Sequence, residues 1–224
     1  MKKVYKSASD YKVSQKVAKI LLQIKAITLS PSKPYRFVSG VLSPVYTDNR
    51  LLISYPRERK KIVKFIVDKI KKAKIKSEVI AGTATAGIPH AAWVADALNL
   101  PMIYVRSGSK DHGKGKDVEG VLAKKQKAVV IEDLISTGSS ALNTVEMIRK
   151  HGGKVDTIVA IFDYEMAVSA KSFKKLKVKL IPLTTLSDLV SVASQKGYLK
   201  LRDREIILNW AKDPKNWGRK MGFE

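Results

Sequence analysis

Two adjacent carboxylates, Glu132 and Asp133, close an apolar run, Val129-Val130-Ile131. After Leu134 and Ile135 the chain turns to hydroxyls and glycine, Ser136-Thr137-Gly138-Ser139-Ser140. Carboxylates accept hydrogen bonds from sugar hydroxyls. Successive residues at a strand end point in opposite directions, so the two acids need not share one task. Amides and hydroxyls at a helix start suit a phosphate, and the helix dipole adds to the attraction. Acids beside an amide cradle describe a site for a ribose 5-phosphate. The plainer reading is an ordinary strand, turn and helix with Thr137 or Ser139 as the cap. Capping alone does not call for two acids at the strand end.

Two other polar segments follow apolar runs. Thr83-Ala84-Thr85-Ala86-Gly87 comes after Glu78–Gly82, and its small side chains let backbone approach a diphosphate closely. A plain connecting loop is the alternative there. His90, in the helix that follows, fits packing better than chemistry. Ser107–Asp117 carries Lys110, Asp111, His112, Lys114 and Lys116 among three glycines, too polar a set to bury. Its cations suit a leaving group that gains negative charge, and closure over the site would exclude water. Gly108–Lys114 imitates the start of a nucleotide-triphosphate loop, but Gly115 stands where that pattern needs Ser or Thr.

The elements that carry these segments alternate. Short apolar runs at Glu78–Gly82, Met102–Arg106, Lys127–Ile131, Val155–Phe162 and Val178–Leu183 read as strands. Helical spacing over Ile88–Leu98 and about 138–150 separates some of them, and His151-Gly152-Gly153 is a helix stop. Alternation of this kind predicts an α/β fold, a mostly parallel sheet flanked by helices. Ligands bind such sheets at the carboxyl ends of the strands, so the three polar loops should meet on one edge. The first ~50 residues lack the alternation and read as a smaller cap.

Composition sets the outer limits. The chain has 224 residues and no cysteine, which excludes disulfides, a cysteine nucleophile and thiolate metal sites. Lys and Arg number 43 against 20 acids, a formal charge of +23. The densest basic stretch, Arg57–Lys76, places Ile62, Phe65, Ile66, Ile70 and Ala73 at helical spacing, so its lysines read as a solvated face. Such a charge attracts anions, whether small substrates or nucleic acid. No nucleic-acid-binding motif accompanies it. Residues 79–105 are apolar but broken by Gly82, Gly87, Pro89 and Pro101, which argues against a membrane helix. A soluble, cytoplasmic protein is expected.

The stretch from Val129 to Ser140 resembles the motif by which type I phosphoribosyltransferases bind 5-phosphoribosyl 1-diphosphate (PRPP). Other segments are similar to those of the orotate phosphoribosyltransferases in particular. Ser39–Arg50 (SGVLSPVYTDNR) looks like that family's N-terminal segment, Gly82–Ala91 like its pyrophosphate loop, and Tyr104-Val105-Arg106 with Lys110–Gly113 like its mobile catalytic loop. The likeness runs from about residue 36 to 190, in the expected order.

It implies a type I phosphoribosyltransferase fold in a single domain over 1–224: an N-terminal hood to about 55, an α/β core to about 190, and a C-terminal helical extension over 191–224. It implies transfer of the 5-phosphoribosyl group from PRPP to orotate, giving orotidine 5′-monophosphate and pyrophosphate, a step of pyrimidine (UMP) biosynthesis. Mg²⁺ would be held mainly by PRPP and water. The partner would be a second copy, a homodimer in which loop 107–117 completes the neighbouring site, with neither membrane nor nucleic acid engaged. Carried over residue by residue, Lys110, Asp111 and His112 would be catalytic. PRPP would meet Arg106, Lys110, His112, Thr83, Ala84, Thr85, Glu132, Asp133, Ser136, Thr137, Gly138, Ser139 and Ser140. Orotate would meet Tyr46, Arg50 and Thr137.

Three positions depart from the family pattern: Val38 stands for a Lys, Ser107 follows Arg106 where a Lys is frequent, and Tyr164 stands for an Arg that helps hold orotate. Arg50, with backbone near Val45–Asp48, is the expected substitute for the missing cations. Transfer to another base, and PRPP sensing by a nucleic-acid-binding regulator, are the alternatives.

Overall fold

The computed structural model describes residues 7–106 and 117–223. Ser7 caps α1 (Ala8–Gln23), its hydroxyl accepting from the Asp10 amide at 3.2 Å. Four short strands follow: β1 (Ile27–Leu29), β2 (Tyr35–Arg36), β3 (Leu42–Ser43) and β4 (Val45–Thr47). β1 pairs antiparallel with β4, and β2 with β3, so these residues make two small ribbons apart from the main sheet. A 3-10 turn over Asn49–Ser54 leads into α2 (Pro56–Lys72), where proline occupies the first turn and its missing amide costs no helical bond. Ile62, Val63, Ile66, Val67 and Ile70 form the buried stripe of α2, while Lys60, Lys61, Lys64 and Lys71 are exposed.

From β5 (Val79–Thr83) the chain alternates: α3 (Gly87–Leu98), β6 (Met102–Val105), β7 (Val118–Glu119), β8 (Lys127–Ile135), α4 (Ser139–Lys150), β9 (Lys154–Asp163), α5 (Ala167–Lys175), β10 (Lys179–Thr185) and α6 (Leu186–Gln195). Strand order is β10-β9-β8-β5-β6-β7, parallel throughout except for β7, which runs antiparallel to β6. The expected α/β sheet is therefore present. β8 continues past Ile131 to Ile135, because β9 stays alongside it and pairs Leu134 with Phe162 and Ile135 with Asp163.

The period of two explains the two cores. Val129 and Ile131 of β8 join the core beneath α1, α2, α3 and α6, whereas Ala128 and Val130 join the one beneath α4 and α5. Covered on both faces, the sheet leaves its carboxyl edge to the loops. α1 packs against β10 and α6, and so covers the sheet beside the ribbons rather than joining them. Beyond α6, α7 (Arg204–Lys212) packs on α6, and α8 (Pro214–Lys220) on β3. Among the described residues no helix is long and apolar enough to cross a membrane.

Candidate active site

Two strand–loop–helix connections meet at the carboxyl edge. The first leaves β5 at Thr83, passes Ala84 to Ala86 and enters α3 at Gly87. Gly87 is required for its closeness to β8: a Cβ there would lie 2.7 Å from the Ile131 carbonyl oxygen and 3.6 Å from Glu132 Oε1. The second leaves β8 at Ile135 and enters α4 through Gly138, whose φ of +82° is left-handed. A Cβ on Gly138 would also meet the Phe173 ring at 2.9 Å. Both loops thus rely on glycine to bring backbone where side chains will not fit.

Ser139 and Ser140 open α4 and are exposed, as is Thr137, whose hydroxyl lies 3.2 Å from that of Ser139. Amides at this helix start have no intrahelical acceptor, which is the donor set a phosphate needs. Ser136 is half-buried beside them. A cleft of about 250 Å³ runs from here to the first loop, lined by Thr83, Ala84, Arg106, Ser139, Ser140 and Asn143 among others. Arg106 is half exposed and contacts Glu119 at 3.3 Å. Its amide donates to the Asp117 carbonyl at 3.0 Å, which ties together the two ends of the intervening segment. Lys110, Asp111 and His112 lie outside the described residues, in that segment.

Glu132 and Asp133 sit between the two loops on β8. Glu132 is 4% exposed, and its Oε1 accepts from the Asp133 amide at 3.1 Å. Burial, reinforced by the Asp133 charge, pushes its carboxyl well above the usual carboxylate range. Asp133 is also pushed up by burial, with opposing help from hydrogen bonds to Glu132 and nearby amides and from the Arg50 charge. The two neighbouring carboxyls are thus both held above the ordinary carboxylate range and titrate as a pair. Thr83 approaches from β5 with a buried hydroxyl that completes no hydrogen bond among the described residues. Thr85 is exposed at the loop tip, and Ala84 is half-buried.

Segment 45–50 stands over this edge. Asn49, buried, donates from its side-chain amide to the Asp133 carbonyl at 2.7 Å. Arg50 is exposed and grips Asp48 through two bonds, 2.6 and 2.9 Å. Hydrogen bonding from Arg50 holds the Asp48 carboxyl below its ordinary range. Tyr46 is exposed on β4 and packs against Tyr35, ring centres 5.6 Å apart. Tyr164 is buried, and its hydroxyl donates to Thr47 Oγ1 at 2.8 Å. His90 is fully buried on α3, edge-on to Trp93, and burial with the Arg59 charge lowers its pKa to about 4.

The carboxyl edge thus gathers Thr83–Thr85, Arg106, Glu132, Asp133 and Ser136–Ser140, with Tyr46 and Arg50 on the overlying segment. Sequence reasoning passed over Asn49, Asn143 and the Tyr164–Thr47 pair. Asn49 lay within a segment already singled out, but nothing local pointed to its long-range bond. Among the described residues no cluster of three His, Cys, Asp or Glu offers a metal cage.

The mostly parallel sheet, with two glycine-dependent loops and paired acids at its carboxyl edge, has the form of a phosphoribosyltransferase, and residues 54–188 match the model of the phosphoribosyl transferase domain. An orotate phosphoribosyltransferase of Enterococcus faecalis is 49% identical over 208 residues, covering 93% of this chain and 99% of the relative. One from Coxiella burnetii is 46% identical over 90% of this chain and 96% of the relative. The crystal structure of the Aeropyrum pernix orotate phosphoribosyltransferase superposes with a TM-score of 0.71 at 27% identity, covering 82% of this chain and 99% of that one. Leishmania donovani UMP synthase gives a TM-score of 0.74 at 27% identity over 88% of this chain, which spans 42% of that longer protein. The chain belongs to the orotate phosphoribosyltransferase family.

Proposed function

We propose that the protein transfers the 5-phosphoribosyl group of PRPP to orotate with the following division of labour. Amides and hydroxyls at Ser136–Ser140 hold the 5-phosphate. Asp133 and Glu132 bind or orient the ribose hydroxyls. Thr83, Ala84, Thr85 and Arg106 hold the diphosphate. The observation that carries this reading is the placement of two adjacent carboxyls, Glu132 buried and Asp133 half-buried, between a helix-start cradle and a second glycine-dependent loop.

The bond from the anomeric carbon to the diphosphate oxygen breaks, the electron pair leaves with pyrophosphate, and the orotate ring nitrogen bonds to that carbon as its N–H proton passes to the departing pyrophosphate or to water. Charge builds on the leaving group, where Arg106, Lys110 and His112 act as electrostatic partners, with Asp111 beside them on the catalytic loop. Mg²⁺ bound with PRPP would supply charge compensation for the diphosphate held at Thr83–Thr85 and Arg106. Positioning and electrostatics suffice, and no covalent enzyme intermediate is formed. Orotate lies under segment 45–50, near Tyr46, Arg50 and Thr137. The working unit is a homodimer in which the loop over 107–117 serves the neighbouring site, within one domain whose hood, core and C-terminal extension divide near residues 55 and 190.

Loss of orotate absorbance on adding PRPP and Mg²⁺ tests the reaction. Orotate left unconsumed while another base is converted would move the protein to a different base specificity. In the same assay, Lys110→Ala is expected to lower kcat by about 100-fold, the size of a lost transition-state donor.

A further inference from the structure

The residue that departs most from the family pattern has a different task in this chain. Tyr164 follows β9 and is 4% exposed. Its amide donates to the Ile135 carbonyl at 3.0 Å, which fixes its backbone to the end of the acid-bearing strand. Its ring is wedged edge-on between Phe162, at 5.1 Å, and Trp210, at 5.2 Å. Its hydroxyl donates to Thr47 at the end of β4. Burial pushes the phenol up to about 12, so it stays a donor at any working pH. Trp210, from α7, adds a second tie to the ribbons: its indole N–H donates to the Leu42 carbonyl on β3 at 3.0 Å.

Strand alternation then sets the direction of the neighbours. With Thr47 turned onto Tyr164, Tyr46 is turned the other way and is exposed. Asn49, two residues beyond Thr47, reaches the Asp133 carbonyl, so segment 45–50 is tied at its middle and again near its far end.

We propose that Tyr164 is a positioning residue of the base subsite: through Thr47, and with Trp210 behind it, it sets the height and register of segment 45–50 over the paired acids. It does not itself touch the base, because its ring is enclosed and its hydroxyl engaged. Tyr46 and Arg50 are thereby supported from behind rather than by a cation at position 164. This rests on the reading that orotate lies under that segment.

The test is steady-state kinetics on Tyr164→Phe, Thr47→Val and the double variant. Each single change is expected to raise the KM for orotate about fivefold, the worth of one net hydrogen bond. The double variant should rise no further, since both changes delete one interaction. Both kcat and the KM for PRPP should stay within about twofold of the wild type. Trp210→Phe, which keeps a ring but loses the bond to Leu42, should shift the orotate KM in the same direction. The proposal is overturned by an unchanged orotate KM in both single variants. An additive double variant, or kcat and PRPP KM moving as far as orotate KM, overturns it as well. A wild-type enzyme that leaves orotate untouched would sink the functional reading. A wild-type orotate KM reproduced by the variants sinks only the positioning role.

Discussion

The loops after β5 and β8 are placed by sheet pairing and glycine backbone, whereas Leu42–Arg50 is held in place by side-chain bonds to other parts of the fold. The sugar-phosphate edge hangs from β5 and β8, adjacent parallel strands buried on both faces, and its loops are tuned by Gly87 and Gly138. The hood consists of strands of two or three residues, too short to persist by pairing alone. Ties from Tyr164, Trp210 and Asn49 keep it in place. Changes at the edge should therefore disturb PRPP handling and folding together, and changes in the hood should act on the base almost selectively.

The largest effect is expected from Asp133→Ala, which removes one of the two acids proposed to meet the ribose hydroxyls. A fall in kcat/KM for PRPP of about 100-fold corresponds to losing two charge-assisted hydrogen bonds. A tenfold or smaller fall would mean that the sugar is gripped elsewhere. Gly138→Ala comes next. A Cβ at 2.9 Å from the Phe173 ring, on a residue with φ +82°, should cost about 1–2 kcal/mol of stability and weaken PRPP binding, read by thermal unfolding with and without PRPP. Unaltered melting and binding would show that backbone placement here is not critical.

Glu132→Gln separates stability from activity. The folded protein holds the Glu132 proton more tightly than the unfolded chain does, so stability falls as pH rises from the ordinary carboxylate pKa through the raised folded one. Removing the titration should raise Tm of the free protein at pH 7–8 by a few degrees and flatten its pH dependence there, while turnover drops. An equal or lower Tm would contradict the burial cost assigned to this group. The smallest change expected is for Arg50→Ala, an exposed side chain already paired with Asp48. Its KM for orotate should rise a few-fold and its KM for PRPP should not move. If PRPP binding weakened instead, the hood and the edge would not be separable in this way.

The edge was legible in the sequence because its physics is local. Apolar runs of strand length, abrupt changes to Thr, Ser and Gly, and two acids after Val-Val-Ile mark strands, loops and ligand groups within a dozen residues of one another. Even the glycine at 138 could be read as a turn residue, although its contact with Phe173 could not. The hood was not legible in the same way. Leu42–Ser43 carries no strand signal, and the partner of its carbonyl lies 168 residues further on. Tyr164 could be recognised as a departure from the family, but only packing around it shows a phenol turned to Thr47 and shut between Phe162 and Trp210. The basic stretch of α2 read correctly as an amphipathic helix with Ile62, Ile66 and Ile70 buried, but Phe65 is only half-buried, Ala73 lies exposed just past the helix end, and Val63 and Val67 complete the stripe instead.

The indole bond from α7 to β3 also orders events during synthesis. Strands β5 to β10 can assemble once they have emerged, but Leu42 must wait for Trp210, and for α8 against β3, before the hood takes its final seat. A nascent chain halted before residue 204 would hold the whole sugar-phosphate edge and still lack a settled place for the base.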